Sequence, residues 1–175
     1  MSWTLSEDPD KANRAGLQEL DRQIQMAASR NIVMFCAAAD EARYYDGRKL
    51  YPKSSDTRRL TVVGSAKESG DPSEFVDREQ VSMLFPGENI EGLDNLNGSS
   101  AATALASGLA ALIIWCMQKK KERLPAPAEN IPHFFKHMKP AGSEWVNVHR
   151  LLKYGGNIQE VDQVVQQCKS WLNTD

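Results

Sequence analysis

Three kinds of side chain in this sequence could do chemistry: two serines directly after a glycine, Gly98-Ser99-Ser100; a carboxylate that ends an apolar run, Asp40; and the histidines His133, His137 and His149. The serines are the best placed. Gly98 frees the backbone for a sharp bend, and from Ala101 to Gln118 the chain holds helix formers and no charge. This pattern predicts a turn that opens into a buried helix. A hydroxyl at such a junction faces the unpaired amides of the first helical turn and the positive end of the helix dipole, which suits a nucleophile whose attack creates an oxyanion. The same pattern describes a plain cap by Ser99 or Ser100, the commoner use of Ser before an apolar run. A weaker alternative is an anion-binding turn, although no Lys follows the glycine as in a P-loop. His133 and His137 stand four apart and could share a helix face as a metal pair would. With Pro132 beside them and no third ligand candidate, they read as ordinary histidines, and no metal is expected.

The elements that must position these groups alternate between helix and strand signals. Leu17, Leu20, Ile24 and Ala28 recur at helical spacing with Glu19, Asp21, Arg22 and Gln25 between them, which predicts an amphipathic helix. Its start signal is Asp8-Pro9. Ile32 to Ala39, Arg59 to Ala66 and Val81 to Phe85 are apolar runs without alternation, as in strands covered on both faces. Asp46-Gly47 marks a turn, Tyr51-Pro52 an extended or cis pair, and Lys67 to Asp77 a surface loop. The order implies an α/β layout. After Gln118, Lys119-Lys120-Lys121-Glu122-Arg123 complements the end of the central helix. Pro125, Pro127 and Pro132 are expected to break regular structure. Beyond Gly155-Gly156, the residues Ile158, Val161, Val164, Val165, Cys168 and Leu172 form the stripe of a last amphipathic helix, read as core packing, with a partner-binding face as the alternative if the fold beneath it is incomplete.

Composition bounds the partners. The chain of 175 residues suffices for one domain with a real core. With 21 Lys and Arg against 23 Asp and Glu, the net charge of -2 gives no electrostatic reason to expect nucleic acid or an anionic membrane as partner. The cysteines, 3 in number, suggest buried reduced thiols rather than a disulfide framework, and their spacing suits no zinc site. Met1 leads into polar and acidic residues rather than a leader, and Ala101 to Met117 is short for a bilayer, so a soluble, cytoplasmic protein is expected.

The serine segment resembles a known family. Leu96-Asn97-Gly98-Ser99-Ser100-Ala101-Ala102-Thr103, followed by Ala106-Ser107-Gly108-Leu109-Ala110, is similar to the nucleophile segment of subtilisin-like serine peptidases, usually Asn-Gly-Thr-Ser-Met-Ala-Thr/Ser-Pro-His-Val-Ala-Gly. Ser99 stands for the usual Thr, Ala101 for Met and Ala104-Leu105 for Pro-His. The resemblance extends upstream: Ile32 to Asp40 matches the strand ending Ala-Ala-Ala-Gly-Asn, Arg59 to Ala66 matches Val-Ile-Ala-Val-Gly-Ala, and Val81 to Gly87 matches Val-Met-Ala-Pro-Gly. Met1-Ser2-Trp3-Thr4 resembles Met-Ser-Leu-Gly. The likeness covers roughly Met1 to Gln118, the second half of such a catalytic domain.

The resemblance implies part of a three-layer α/β sandwich with a mostly parallel sheet in residues 1–121. A Pro-containing linker and helical extension would follow in 122–175. It implies Ser100 as nucleophile of an acyl-enzyme route, with its own amide as oxyanion donor, and Ser2, Trp3, Thr4, Ala37, Ala38 and Ala39 against a peptide or protein substrate, without a cofactor. Asp40 falls where the family has its oxyanion-hole Asn, and an ionised carboxylate accepts hydrogen bonds but donates none, so it would substitute only when protonated, or else belong to a polar network with Arg43. The family's Asp and His precede its Ser, whereas all three histidines here follow Ser100. The chain is therefore expected to be inactive alone and to expose an open sheet edge. The C-terminal segment could cover that edge, the missing N-terminal half of the domain could fill it as a partner, or the product could be longer than this chain. The alternative to a peptidase is a noncatalytic module that binds peptides or proteins.

Overall fold

The computed structural model describes residues 1, 5–6, 14–40, 49–55, 59–90, 97–151 and 159–174. In chain order the elements are β1 (Leu5–Ser6), α1 (Arg14–Ser29), β2 (Met34–Ala37), β3 (Leu50–Tyr51), β4 (Leu60–Ala66), β5 (Met83–Pro86), α2 (Ser99–Lys119), α3 (Pro127–Met138) and α4 (Gln159–Leu172), with short 3-10 turns at Arg78–Gln80 and Val148–Arg150. The three apolar runs form one parallel sheet in the order β2-β4-β5, with Met34 opposite Leu60 and Val63 opposite Met83. β1 and β3 pair separately as a short antiparallel ladder. The Tyr51-Pro52 peptide bond that follows is cis.

Strand alternation sends successive side chains to opposite faces, and both faces are covered. Met34, Cys36, Leu60 and Val62 pack with Ile24 and Ala28 of α1. Phe35, Val63, Met83 and Phe85 pack with α2 and α3 in the main core. Phe135 of α3 stacks on Phe35 at 5.8 Å and meets Phe85 edge-on at 5.3 Å. This is the three-layer sandwich that the resemblance implied. Burial on both faces explains why these strands read as unbroken apolar runs.

Four local expectations need correction. The central helix is not buried all round: Ala102, Ala106, Leu109 and Ile113 point into the core, but Leu105, Leu112 and Trp115 are 39%, 39% and 51% exposed. It is also longer than the apolar run, at 21 residues, and among the described residues it is the one helix long and apolar enough to cross a membrane. Here it lies on the sheet, against β2, β4 and β5. The prolines do not break the chain after residue 125. Pro127 stands in the first turn of α3, where its missing N–H costs nothing, and Pro132 lies inside the helix. Pro132 leaves the Ala128 carbonyl without its helical donor, and burial of Ile131, Phe134, Phe135 and Met138 offsets that loss. Finally, part of the 67–77 loop folds inward, with Ser73 and Val76 buried and the Ser73 amide on the Ser65 carbonyl at 3.0 Å.

At the C-terminus, α4 buries Val164, Val165, Cys168 and Trp171 against α2 and α3. Lys120 at the end of α2 pairs with Asp162 at 2.7 Å, and Lys169 reaches Glu122. Ile158, Gly155, Gly156, Asp8, Pro9, Asp46, Gly47 and the clefts' Ser2, Trp3 and Thr4 lie outside the described residues.

Candidate active site

The carboxyl ends of β2, β4 and β5 meet the N-terminus of α2, the place where open parallel sheets bind ligands. Gly98 opens the helix at φ 115°, a conformation that favours glycine, and a Cβ there would lie 2.5 Å from Asp40 Oδ2. The Gly98 amide donates to the Gly87 carbonyl at 2.7 Å, and the Ala101 and Ala102 amides return to the Gly98 carbonyl at 3.1 and 3.2 Å. Gly87 is equally constrained, because a Cβ there would come within 2.3 Å of Ser65 Oγ. The Pro86-Gly87 bend therefore holds the Gly98 turn from below.

The two serines part company at this turn. Ser99 is 0% exposed. Its Oγ accepts from the Ser65 amide of β4 at 3.1 Å, and its carbonyl accepts from the Thr103 hydroxyl at 2.7 Å. It fastens the helix to the sheet. Ser100, one residue on, sits in the first turn of α2 on the exposed side. Neither serine is the helix cap. The cap position is Gly98, which has no side chain to offer, and the capping oxygens come from Asp40: the Ser99 amide donates to Oδ1 at 3.1 Å and to Oδ2 at 3.0 Å. A carboxylate at a helix N-terminus satisfies an orphan amide and complements the dipole. Asp40 is thus placed beside Ser100's turn, and it is an acceptor there.

Ala37, Ala38 and Ala39, which lead to Asp40, are 4%, 6% and 8% exposed. The histidines are elsewhere. His133 and His137 share one face of α3 with Nε2 atoms 3.1 Å apart. His133 Nε2 lies 3.1 Å from the Trp171 carbonyl, and the His137 ring stacks on Trp171. These contacts dock α3 on α4. His149 is exposed in the Val148–Arg150 turn. Among the described residues, no three His, Cys, Asp or Glu side chains gather as a metal site would require. Burial pushes the Cys36 thiol up to about 11 and Cys168 up to about 12, so both stay protonated and neither is a competing nucleophile. The signal for Asp40's capping role was its place directly after a buried strand. Its partner, 59 residues away, is beyond any local pattern.

A parallel sheet covered on both faces, with the N-terminus of a helix at its strand ends, defines a three-layer α/β protein. The Subtilase family model matches residues 1–131, and the chain belongs to this family. Similar solved structures include the self-cleaved protease domain of PatA, at 22% identity and TM-score 0.63, with 97% of this chain and 61% of that one covered. The prenylagaramide maturation protease PagA matches at 21% identity and TM-score 0.59, with coverage of 94% and 58%. A lanthipeptide protease matches at 17% and 0.64, with coverage of 95% and 60%. At such identities the likeness is one of fold. The chain spans about three fifths of the length of these structures, and so represents part of a subtilase domain. No protein of curated function matches the sequence.

Proposed function

We propose that this chain carries the nucleophile part of a serine endopeptidase. The observation that supports it is the clamped turn: Gly87, Ser65 and Asp40 fix Gly98 and Ser99, so that Ser100 stands in the first turn of α2 at the carboxyl edge of the sheet. In this reading Ser100 Oγ attacks the carbonyl carbon of the scissile peptide, its proton passes to a base and then to the leaving amine, and water releases the acyl group. The positive end of α2, with the Ser100 amide, faces the developing oxyanion. The substrate is an extended peptide along Ser2-Trp3-Thr4, with its side chain against Ala37, Ala38 and Ala39. The base and the carboxylate that orients it come from the remaining part of the domain, because α3 commits His133 and His137 to α4. Alone, the chain hydrolyses little or nothing.

Asp40 favours a second reading. A fixed acceptor where the reaction calls for a donor opposes an oxyanion, as in a noncatalytic module that keeps the fold to bind peptides. Fluorophosphonate labelling separates the two. The peptidase reading expects no labelling of the 175-residue chain, labelling of a longer product made from the full transcript, and loss of that labelling in Ser100→Ala. Silence from the longer product overturns it in favour of the binding module.

A further inference from the structure

α3 stays helical past Pro132 to Met138, so His133 and His137 stand about one turn apart on one side of it. Their Nε2 atoms are 3.1 Å apart, and the end of α4 closes on them. The Trp171 carbonyl oxygen lies 3.1 Å from His133 Nε2. The Thr174 hydroxyl donates to that carbonyl at 2.8 Å, and its oxygen is 3.5 Å from His137 Nε2. Two nitrogens and two oxygens thus form a closed ring whose sides run from 2.8 to 3.5 Å.

A ring of hydrogen bonds has these dimensions, and so does the ligand shell of a metal ion. Ligand atoms about 2.1 Å from one ion are separated by about 3.0 Å at a right angle and by about 3.4 Å at the tetrahedral angle. Among the described residues no third His, Cys, Asp or Glu joins the pair, but a carbonyl and a hydroxyl oxygen complete the ring. The carbonyl belongs to the last turn of α4, where helix carbonyls lack intrahelical donors and the dipole is negative. Both effects favour a cation. Orientation is fixed as well, because the His137 ring stacks on Trp171 at 5.6 Å and 7°, and Trp171 meets Phe134 at 5.9 Å. The two imidazoles are half-buried, so solvent reaches them.

We propose that His133, His137, the Trp171 carbonyl and the Thr174 hydroxyl form a binding site for a divalent transition ion such as zinc or nickel, which ties the end of α4 to α3. Imidazole nitrogen suits these ions, whereas calcium and magnesium take oxygen ligands. Each imidazole binds in its neutral form through Nε2, with its proton on Nδ1. None of the four groups belongs to the Ser100 turn, so the site stands apart from the peptidase reading.

Thermal melts of the 175-residue chain, stripped of metal with EDTA and dialysed, test the site. ZnCl2 at about a hundredfold excess over its dissociation constant should raise the melting temperature by about 5–10 °C, and CaCl2 at the same concentration should leave it unchanged. In calorimetric titrations His137→Gln should weaken zinc binding at least about tenfold, and Thr174→Val should weaken it less. Crystals of the parent chain grown with ZnCl2 need no variant, and should show an anomalous peak about 2.0–2.1 Å from both Nε2 atoms. No rise with zinc, an equal rise with calcium, undiminished binding by His137→Gln, or a peak away from the histidine pair overturns the site. Unchanged affinity in Thr174→Val overturns the share given to its hydroxyl.

Discussion

Helices α1 and α2 lie on opposite faces of one sheet, and their outward sides differ in polarity. The outward side of α1 is polar, with Glu19 bonded to Arg22 at 2.7 Å and to Gln23 at 2.6 Å, and those bonds hold the Glu19 carboxyl down to about 2. The outward side of α2 carries Leu105, Leu112 and Trp115, with Ala104, Ser107, Gly108 and Ala111 exposed between them. A helix facing water on one side separates its residues into two stripes, while one that is apolar all round is meant for burial. The contrast shows that α1 separates a polar side from a buried one, while α2 keeps large apolar side chains on its exposed side as well.

The sharpest way to break that comparison is to cut into α2 from both sides. Ile113→Ala, at a 0% exposed site, should lower stability by about 2–5 kcal/mol, seen as a fall in the urea midpoint. Leu112→Ala next to it should cost no more than about 0.5 kcal/mol. Equal losses would mean that the outer face is already covered in the folded chain.

The next effect concerns the clamp. Gly98→Ala must adopt φ 115° and drive its Cβ against Asp40, at a cost of about 1–3 kcal/mol. Asp40→Ala removes the cap for about 1 kcal/mol. Asp40→Asn keeps an acceptor for the Ser99 amide while adding a donor, so its stability should stay near that of the parent. In a labelling-competent longer product, Asp40→Asn should also raise the turnover rate, by up to about 10²-fold for one added oxyanion donor. A fall in turnover would count against Asp40 facing the oxyanion.

The smallest effect is on the thiols. In the unfolded chain Cys36 and Cys168 lose their protons near the ordinary 9.0, whereas in the fold they keep them to about 11 and about 12. The folded state therefore holds more protons above pH 9, and stability falls as pH rises. From pH 8 to 9.5 each thiol should account for about 0.5–1 kcal/mol of the fall. Urea titrations of Cys168→Ala should show a shallower slope over this interval, and an unchanged slope would remove Cys168 from the account.

Much of this was legible in the sequence. The runs ending at Ala39, Ala66 and Phe85 announced strands covered on both faces because such strands leave no alternation to confuse, and Gly98-Ser99-Ser100 announced the turn. What was hidden depended on distant contacts. Pro127 and Pro132 looked like breakers because the aromatic contacts of Phe135 with Phe35 and Phe85 are invisible locally. The absence of charge along α2 revealed its apolar nature but not that Leu105, Leu112 and Trp115 stay exposed. Ser99 and Ser100 looked interchangeable as caps, and only the position of Asp40 shows that neither is one.

The bond from Asp40 to the Ser99 amide also orders events in time. It joins residues 59 apart, and contacts of such separation form slowly because a long loop must close first. The first turn of α2 gains its capping carboxylate only when the residue that follows β2 reaches it, and until then the Ser99 amide bonds to water. The geometry around Ser100 should thus be among the last features to form in refolding, and among the first to loosen when the sheet edge opens.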